Sequence, residues 1–263
     1  MLRANGVLQE GVVSPPPPLT PENLLENESL VQFFSHYVMD PVGTLAQLHQ
    51  ARVALIGSDS IKSRIQQGLL SMGFGSLSEV EGLSKKTAYD SSQLQKEVAD
   101  QLEGVDFLIA CQDTTDHRFF QAVNSACLET KTRWMHVSIS GTKGIMGPTI
   151  VPEQSACYVC YDKRMASNAT ELQGYLAYQK QTELSKNEGV LGPLWSTLAE
   201  QVALEMARII SGFAPPKTIG RLYEFEATTP AAEGHDVLRI PRCPACNLKE
   251  PRREAWDLIA LNP

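Results

Sequence analysis

Two cysteine pairs constrain the fold of this chain more than any other feature. Cys157 and Cys160 form one Cys-x-x-Cys motif, and Cys243 and Cys246 form a second. This spacing lets two thiolates of one tight turn occupy adjacent corners of a tetrahedron, so two such motifs predict a zinc site with four cysteine ligands. Residues 161–242 lie between the pairs, which is longer than a zinc-finger loop. The metal would therefore join two distant parts of one domain.

The predicted role of this metal is structural. Four protein ligands fill a tetrahedral shell and leave no position for water, so we expect Zn²⁺ to hold the fold without taking part in catalysis. The alternative is that the pairs are unrelated redox or core cysteines. The two remaining cysteines, Cys111 and Cys127, lie at the end of an apolar run and at helical spacing, and we expect both to pack in the core.

Charge and hydropathy exclude several classes of protein. The 263 residues include 23 Lys and Arg against 30 Asp and Glu, a formal net charge of −7 that does not favour nucleic acid or an anionic membrane. No run approaches the roughly 18 apolar residues of a membrane-spanning helix, and the N-terminus lacks the layout of a signal peptide. We therefore expect a cytoplasmic protein, in which the cysteines are more expected to bind a metal than to form disulfides.

Residues 1–50 differ from the remainder and are predicted to comprise a short N-terminal segment, a Pro-rich linker and lead-in helices. Pro15–Pro18 can neither sustain a helix nor donate to a sheet, and is typical of a polyproline connector. After it, apolar spacing over residues 22–39 predicts one or two lead-in helices, which Asp40-Pro41 would end.

Residues 51–263 alternate strand and helix patterns, which predicts an α/β domain with a Rossmann-like, mostly parallel sheet and flanking helices. Its most buried strand is expected in VDFLIA, residues 105–110. A long helix is predicted over Pro193–Gly212, and two strands, TIGRLYEF (218–225) and HDVLRI (235–240), would lead into the second cysteine pair.

The segment VALIGSDSIKSR lies where a Rossmann-like domain has its phosphate-binding turn. The dinucleotide fingerprint needs three glycines, but only Gly57 is present, and Asp59 at the next glycine position would repel phosphate. Glu81, at the end of the second predicted strand, would bind a ribose or be a solvated strand end. We interpret this turn as scaffold and do not expect ATP to bind.

The segment DTTDHR, residues 113–118, follows the buried strand at the carboxyl edge of the predicted sheet, where ligands of open α/β folds bind. Asp113 and Asp116 would hold Mg²⁺ or orient a phosphate, and Arg118 would pair with an anion. Alternatively, the acids cap the next helix and the arginine lies on the surface. The residues leave both interpretations open.

The order of these motifs resembles the ThiF/MoeB superfamily, the ubiquitin-activating-enzyme-like adenylating fold, over about residues 50–250. The resemblance implies a ThiF-like domain with structural zinc, in which Gly57, Asp116 and Arg118 occupy vestigial nucleotide-site positions. The turn is GSDS, no Asn-Leu-x-Arg-Gln-like segment follows Glu81, and no cysteine lies between the zinc pairs for thiol transfer. An ATP-dependent adenylating activator of a ubiquitin-like or sulfur-carrier protein is therefore the alternative function.

A finer resemblance is to ThiF-like proteins of bacteriocin biosynthesis, the cyclodehydratase or leader-peptide-binding components of azol(in)e-forming clusters. The segments GPTIVPEQSACYVCYDKRMASN, YLAYQ and VLRIPRCPAC are similar to that subfamily. It implies a non-catalytic scaffold that binds the leader of a ribosomal precursor peptide. The scaffold presents Cys, Ser or Thr of the precursor to a YcaO-type partner, which uses ATP to form thiazoline or oxazoline rings.

The chain departs from this subfamily at its N-terminus. There the leader binds a winged-helix-like element as an added strand, and only MLRANGVLQEG, before the prolines, is similar to the end of that element. We therefore expect a remnant of it in residues 1–50, with the missing part truncated, carried on a separate polypeptide, or replaced by leader capture elsewhere. The superfamily commonly forms dimers through this domain, so a homodimer is also an expectation.

Overall fold

The structure is a computed structural model that describes residues 19–80, 90–114, 116–179, 191–229 and 231–246. Within them, seven strands form one sheet: β1 (Arg52–Gly57), β2 (Ser76–Glu79), β3 (Phe107–Gln112), β4 (Arg133–Ser140), β5 (Lys143–Ile150), β6 (Arg221–Glu226) and β7 (Ala231–Asp236). The helices are α1 (Pro21–Glu26), α2 (Glu28–Phe34), α3 (Pro41–Gln50), α4 (Asp59–Ser71), α5 (Ser91–Gln101), α6 (His117–Thr130), α7 (Tyr158–Asn168), α8 (Leu172–Gln179) and α9 (Gly192–Ser211).

The sheet has the order β2-β1-β3-β4-β5-β6-β7. Strands β2, β1, β3 and β4 run parallel, and β5, β6 and β7 each run antiparallel to the preceding neighbour. Helices α4, α5 and α6 follow β1, β2 and β3 along the chain, as crossovers between parallel strands require. This arrangement confirms the predicted Rossmann-like, mostly parallel α/β fold.

Local sequence accounts for the parallel half. In β3, the run FLIACQ is buried at every residue except Gln112, as expected for a strand covered on both faces. In α4, Ile61, Ile65 and Leu69 recur every four residues and are fully buried, so one helix face points to the core. These elements place the carboxyl ends of the parallel strands along one edge of the sheet, called the carboxyl edge below.

Two cores lie on opposite sides of the sheet. We call the first the α9 face, in which α9 and α4 cover the sheet with aliphatic side chains such as Leu198, Val202 and Ile65. The second is the zinc face, in which α5, α6 and α7 cover it and the buried residues include Cys157 and Tyr158. The α9 face is closed mainly by apolar contact, although α9 also carries the fully buried Glu205, which accepts hydrogen bonds from Thr218 N–H and Oγ1 at 2.7 and 3.0 Å. The zinc face combines apolar groups with cysteines, tyrosines and histidines.

Two predicted boundaries differ from the structure. The lead-in helices α1 and α2 end at Phe34, several residues before Asp40-Pro41, and Pro41 begins a further helix, α3. Asp40 caps α3 by accepting a 2.8 Å hydrogen bond from Gly43 N–H, and proline suits the first helical turn. Phe34 and Leu48 from this N-terminal region are fully buried in the α9 face. Strand β7 spans Ala231–Asp236, so only the first residues of the expected 235–240 segment are in a strand.

Three parts of the sequence analysis lie outside the described residues: the proline run at 15–18, the segment before it, and Glu81. Among the helices that are described, none combines the length and the apolar composition that crossing a bilayer requires.

Candidate metal centre and carboxyl-edge site

The four cysteines of the two Cys-x-x-Cys motifs meet in one buried cluster on the zinc face. Cys157 is the N-cap of α7 and Cys160 lies in its first turn, while Cys243 and Cys246 lie in the turns that follow β7. The four sulfur atoms lie within 4.8 Å of one another. The sequence therefore identified the residues that come together, although the first pair lies at the start of a helix and not in an isolated turn.

The sulfur positions fit a tetrahedral metal. The Sγ–Sγ distances are 3.8 Å for Cys157–Cys160, 3.7 Å for Cys157–Cys243 and 3.6 Å for Cys160–Cys246. Four sulfurs at the usual Zn–S length of about 2.3 Å would lie about 3.8 Å apart. All four are free thiols, and their separations far exceed the roughly 2.05 Å of a disulfide. The cluster could therefore hold a zinc ion with four protein ligands.

The surroundings of the cluster prepare it for a cation. Hydrogen bonds from the thiols of Cys157 and Cys246 lower the pKa of Cys160 well below its ordinary value, and Ile240 N–H lies 3.4 Å from the Cys160 sulfur. The hydrogen bond between Cys157 and Cys160 raises the pKa of Cys157. A metal ion bound by all four sulfurs would require each thiol to lose its proton.

A buried polar network extends from the four-cysteine cluster along α7 towards the carboxyl edge. Asp162, 6% exposed, accepts hydrogen bonds from Tyr175 Oη and Gln121 Nε2, each at 3.1 Å, and one of its oxygens lies 3.0 Å from His117 Nδ1. Tyr158 Oη lies 3.1 Å from the same His117 nitrogen. Helix α7 therefore connects the metal cluster to the first turn of α6.

No sequence motif indicates this network. Asp162 and His117 are 45 positions apart in the numbering, and neither stands in a recognisable motif with the other. The one available signal was their context, because Asp162 follows the first cysteine pair by two residues and His117 follows Asp116 directly.

The glycine turn is closed by backbone contact. Gly57 has φ +128°, and a Cβ there would lie 1.6 Å from the carbonyl oxygen of Cys111 in β3. Ser58 N–H donates to that same carbonyl at 2.9 Å. The glycine is thus required by the close approach of β1 and β3, which is a scaffold requirement independent of any ligand.

Acidic groups surround the start of α4. Asp59 and Glu79 each form an ion pair with Lys62 Nζ, at 2.9 and 2.7 Å. Burial lowers the pKa of Lys62, but the hydrogen bonds to Glu79 and Asp59 outweigh it, so the pKa lies above its ordinary value. Nearby, Ser58 Oγ lies 2.8 Å from Asp113 Oδ1. The lysine at this turn is therefore engaged by carboxylates.

The second predicted segment lies beside this turn. Asp116 is buried and caps α6, accepting a 3.0 Å hydrogen bond from Phe119 N–H, as the helix-cap interpretation expects. Arg118 is half-buried in the first turn of α6. The structure brings Gly57, Asp116 and Arg118 to the same carboxyl edge, and a role for them at a nucleotide stays a prediction.

The two other cysteines are buried apart from the cluster. Cys111 ends β3 with its sulfur 3.5 Å from the carbonyl oxygen of Ile56, and burial raises its pKa to about 12. Cys127 is fully buried in α6, and burial raises its pKa as well. Both cysteines lie in the core, as predicted, and neither is poised as a thiolate nucleophile.

Solved structures with the same fold include two heterocyclases. A heterocyclase in complex with substrate and cofactor matches 88% of this chain at a TM-score of 0.64 and 18% identity, and the heterocyclase TruD matches 81% at 0.60 and 19%. The match covers 29% and 30% of those two chains, so this chain spans less than a third of their length.

The fold is also that of E. coli MccB. A structure of MccB with MccA matches 88% of this chain and 76% of MccB at a TM-score of 0.64 and 14% identity, and a structure of MccB with ATP matches 84% and 74% at 0.61 and 13%. At such identities the likeness establishes the fold alone. No curated protein matches the chain in sequence.

The family model of ThiF matches residues 78–248, a span that includes both cysteine pairs and most of the sheet. Together with the strand order and the four-cysteine cluster, this match means that the chain belongs to the ThiF family.

Proposed function

We propose that this chain is the ThiF-like, leader-peptide-binding component of an azol(in)e-forming cyclodehydratase complex in bacteriocin biosynthesis. It would bind a ribosomal precursor peptide in the cytoplasm and present the Cys, Ser or Thr residues of that peptide to a YcaO-type partner. The supporting observation is the match to a heterocyclase, which includes 88% of this chain but only 29% of the heterocyclase. In the proposed complex, a YcaO-type protein would supply the activity that this chain lacks.

In the proposed complex the bond-forming chemistry belongs to the partner. The partner would use ATP to activate the oxygen of a backbone amide, the neighbouring thiol or hydroxyl would attack the amide carbon, and the oxygen would leave as phosphate. Formation of each ring thus removes one molecule of water from the peptide. This chain would supply binding and orientation, which raise the effective concentration of the reacting groups.

The carboxyl edge supports a non-catalytic role. Ser58 N–H is not available to a phosphate at the start of α4 because it donates to the Cys111 carbonyl, and Asp59 and Asp113 add negative charge nearby. We therefore expect this chain to bind ATP weakly, although MccB, which has the same fold, is known with ATP.

Zinc has a structural role in this proposal. The ion would be held by the sulfurs of Cys157, Cys160, Cys243 and Cys246, which accounts for four reduced cysteines meeting in one place. When bound, it supplies a cross-link between α7 and the turns after β7. The residues of α7 then hold Asp162 against His117.

The proposal is tested by reconstitution. The purified chain is combined with the YcaO-type protein and the Cys-, Ser- and Thr-rich precursor encoded beside it, and the peptide is followed by mass spectrometry. We expect loss of water from the peptide only when both proteins and ATP are present. Ring formation by the partner alone at the same rate would contradict the proposal.

A second candidate is an adenylating activator of a ubiquitin-like or sulfur-carrier protein. It is favoured by one observation, the buried Asp116 beside the glycine turn in a fold shared with MccB. An activator would catalyse ATP–pyrophosphate exchange with only its carrier protein or peptide present and no YcaO-type partner. Asp116→Ala would abolish that exchange. We expect no exchange, and exchange that depends on Asp116 would replace the scaffold proposal with this one.

A further inference from the structure

Strand β7 lies at one edge of the sheet. It pairs with β6 along its whole length, and no strand in the described ranges pairs with its other side. Five of its six residues are exposed, and Gly234 is half-buried. An exposed edge of this kind offers unpaired backbone groups to another extended chain.

The register shows which backbone groups face outward. Val237 N–H donates to Gly220 C=O at 2.8 Å, and pairs along an antiparallel ladder alternate between bonded and non-bonded. Ala232, Gly234 and Asp236 therefore direct their N–H and C=O groups away from the backbone of β6, although the C=O of Gly234 accepts a 3.4 Å hydrogen bond from the Arg221 side chain. The outer edge consequently presents three residues in the spacing that an added strand requires.

An apolar cavity adjoins the first residues of this edge. It has a volume of about 580 Å³ and lies between the β6–β7 hairpin and the start of α9, with Leu191, Pro193, Leu194, Phe225 and Ala232 among its walls. Its size falls in the range of ligand-binding pockets. Because Ala232 contributes both to the wall and to the outer edge, a side chain of an added strand could enter the cavity.

The charges beside the edge are mainly acidic. Glu233 and Asp236 lie on β7 and Glu226 lines the cavity, whereas the nearby cations Lys143 and Arg221 are paired with Glu224 and Asp236. Two copies of β7 placed edge to edge would bring these acids together, and like charges facing each other across a ladder are destabilising. A segment with basic residues complements this edge better than a second copy does.

We propose that the outer edge of β7 and the cavity beside it bind an extended peptide as an eighth strand. The peptide would hydrogen-bond with the N–H and C=O groups of Ala232 and accept from Gly234 N–H. It would place one apolar side chain in the cavity and a Lys or Arg beside Glu233. This inference rests on the proposed function, because the natural occupant would be a segment of the precursor peptide.

The first experiment uses a fluorescein-labelled, end-capped octapeptide of alternating Lys and Leu, measured by anisotropy at physiological ionic strength. Ala232→Pro removes one outward N–H, and proline is tolerated at such positions of an edge strand. We expect it to weaken binding at least about tenfold, which corresponds to about 1.4 kcal/mol. Ala232→Ser keeps the N–H and should bind within about twofold. An octapeptide of alternating Glu and Leu should not bind.

Zinc content and thermal unfolding show whether each variant is folded. Equal affinity of the folded Ala232→Pro variant and the unsubstituted protein would overturn the inference. A second result would also overturn the inference. Sedimentation would show a concentration-dependent dimer that Ala232→Pro disrupts, while the affinity for the octapeptide is unchanged. The edge would then pair with a second copy.

Reconstitution separates this inference from the proposed function. If the complete system forms rings and Ala232→Pro forms them equally well at low precursor concentration, the peptide binds elsewhere and only the inference fails. If the unsubstituted chain does not stimulate its partner at all, the proposed function fails, whatever the octapeptide does.

Discussion

The two faces of the sheet are closed by different kinds of interaction. On the α9 face, Leu198 and its neighbours exclude water by apolar area, which is non-directional and tolerates small shifts. On the zinc face, four sulfurs and the network around Asp162 need defined distances and angles. The α9 face should therefore respond to volume changes, whereas the zinc face should respond to metal, pH and single polar atoms.

Loss of the metal should have the largest effect. Cys157→Ser removes one ligand and leaves three buried thiols without a closed coordination shell, and structural zinc in small domains contributes on the order of 10 kcal/mol. We expect zinc content to fall from about one equivalent and the cooperative thermal transition to be lost. A chain that keeps its fold and its melting temperature without zinc would contradict the structural role of the site.

Cys127→Ala is the matched control for that experiment. Cys127 is as buried as Cys157 but does not contribute to the cluster. The substitution should keep the full equivalent of zinc and cost about 1 kcal/mol from the lost packing of one sulfur. Zinc loss in this variant would mean that the cluster depends on packing of the whole face and not on its ligands.

The sequence could predict the cluster because zinc chemistry requires a particular residue at each of four positions, so the spacing at 157–160 and 243–246 is specific. A single glycine such as Gly57 is not a specific signal, because a phosphate-binding turn and a close approach of two strands both require glycine. Only the contact with Cys111 distinguishes these two explanations. The role of Asp116 could not be decided for the same reason, because a single carboxylate suits a helix cap and a ligand-binding group equally.

Other features were beyond sequence reasoning because they depend on distant partners. The contact of Asp162 with His117 arises from the packing of α7 on α6, which no local pattern encodes. Strand β7 was missed over its first residues because the sequence AAEGHD lacks the β-branched and aromatic residues that favour strands, and pairing with β6 overrides that weak preference.

A large-to-small change on the α9 face gives the next effect in size. Leu198 is fully buried against the sheet beside Gly144, and Leu198→Ala should leave a cavity and cost about 3 to 5 kcal/mol. Urea unfolding monitored by circular dichroism measures this loss. We expect the zinc content to be unchanged and the loss to be the same at pH 7 and pH 5. A loss of zinc would show that the two faces are energetically one unit.

The zinc face should show a pH dependence of about 3 kcal/mol. His136 is fully buried among aromatic rings and its Nδ1–H donates to Gly147 C=O at 2.7 Å, while burial lowers its pKa from 6.5 to about 4. The unfolded chain therefore takes up this proton at a higher pH than the folded protein does. The contribution of His136 to stability is complete above pH 6.5 and is lost as the pH falls towards 4.

Comparison with His136→Gln isolates this contribution from other groups. Both proteins are unfolded by urea at several pH values between 7 and 4.5 in excess zinc, which limits differences in metal occupancy. We expect the free energy of unfolding of the unsubstituted protein to fall more steeply with acidification than that of the variant. Parallel curves would show that His136 is not the group that makes the zinc face sensitive to pH.

The smallest predicted effect concerns one oxygen atom at the far end of the zinc-face network. Tyr175→Phe removes the hydroxyl that donates to Asp162 at 3.1 Å but keeps the ring, whose centroid lies 5.7 Å from that of His117. A hydrogen bond to a buried carboxylate contributes about 1 to 2 kcal/mol, so the variant should lose about that much. Tyr37→Phe, on an exposed ring, should change stability by less than about 0.5 kcal/mol.

Hydrogen exchange would then locate the effect of Tyr175→Phe. We expect faster exchange confined to α8 and the first turn of α6, because Asp162 joins them. Equal losses in the two variants would mean that this network adds nothing to the closure of the zinc face beyond ring packing.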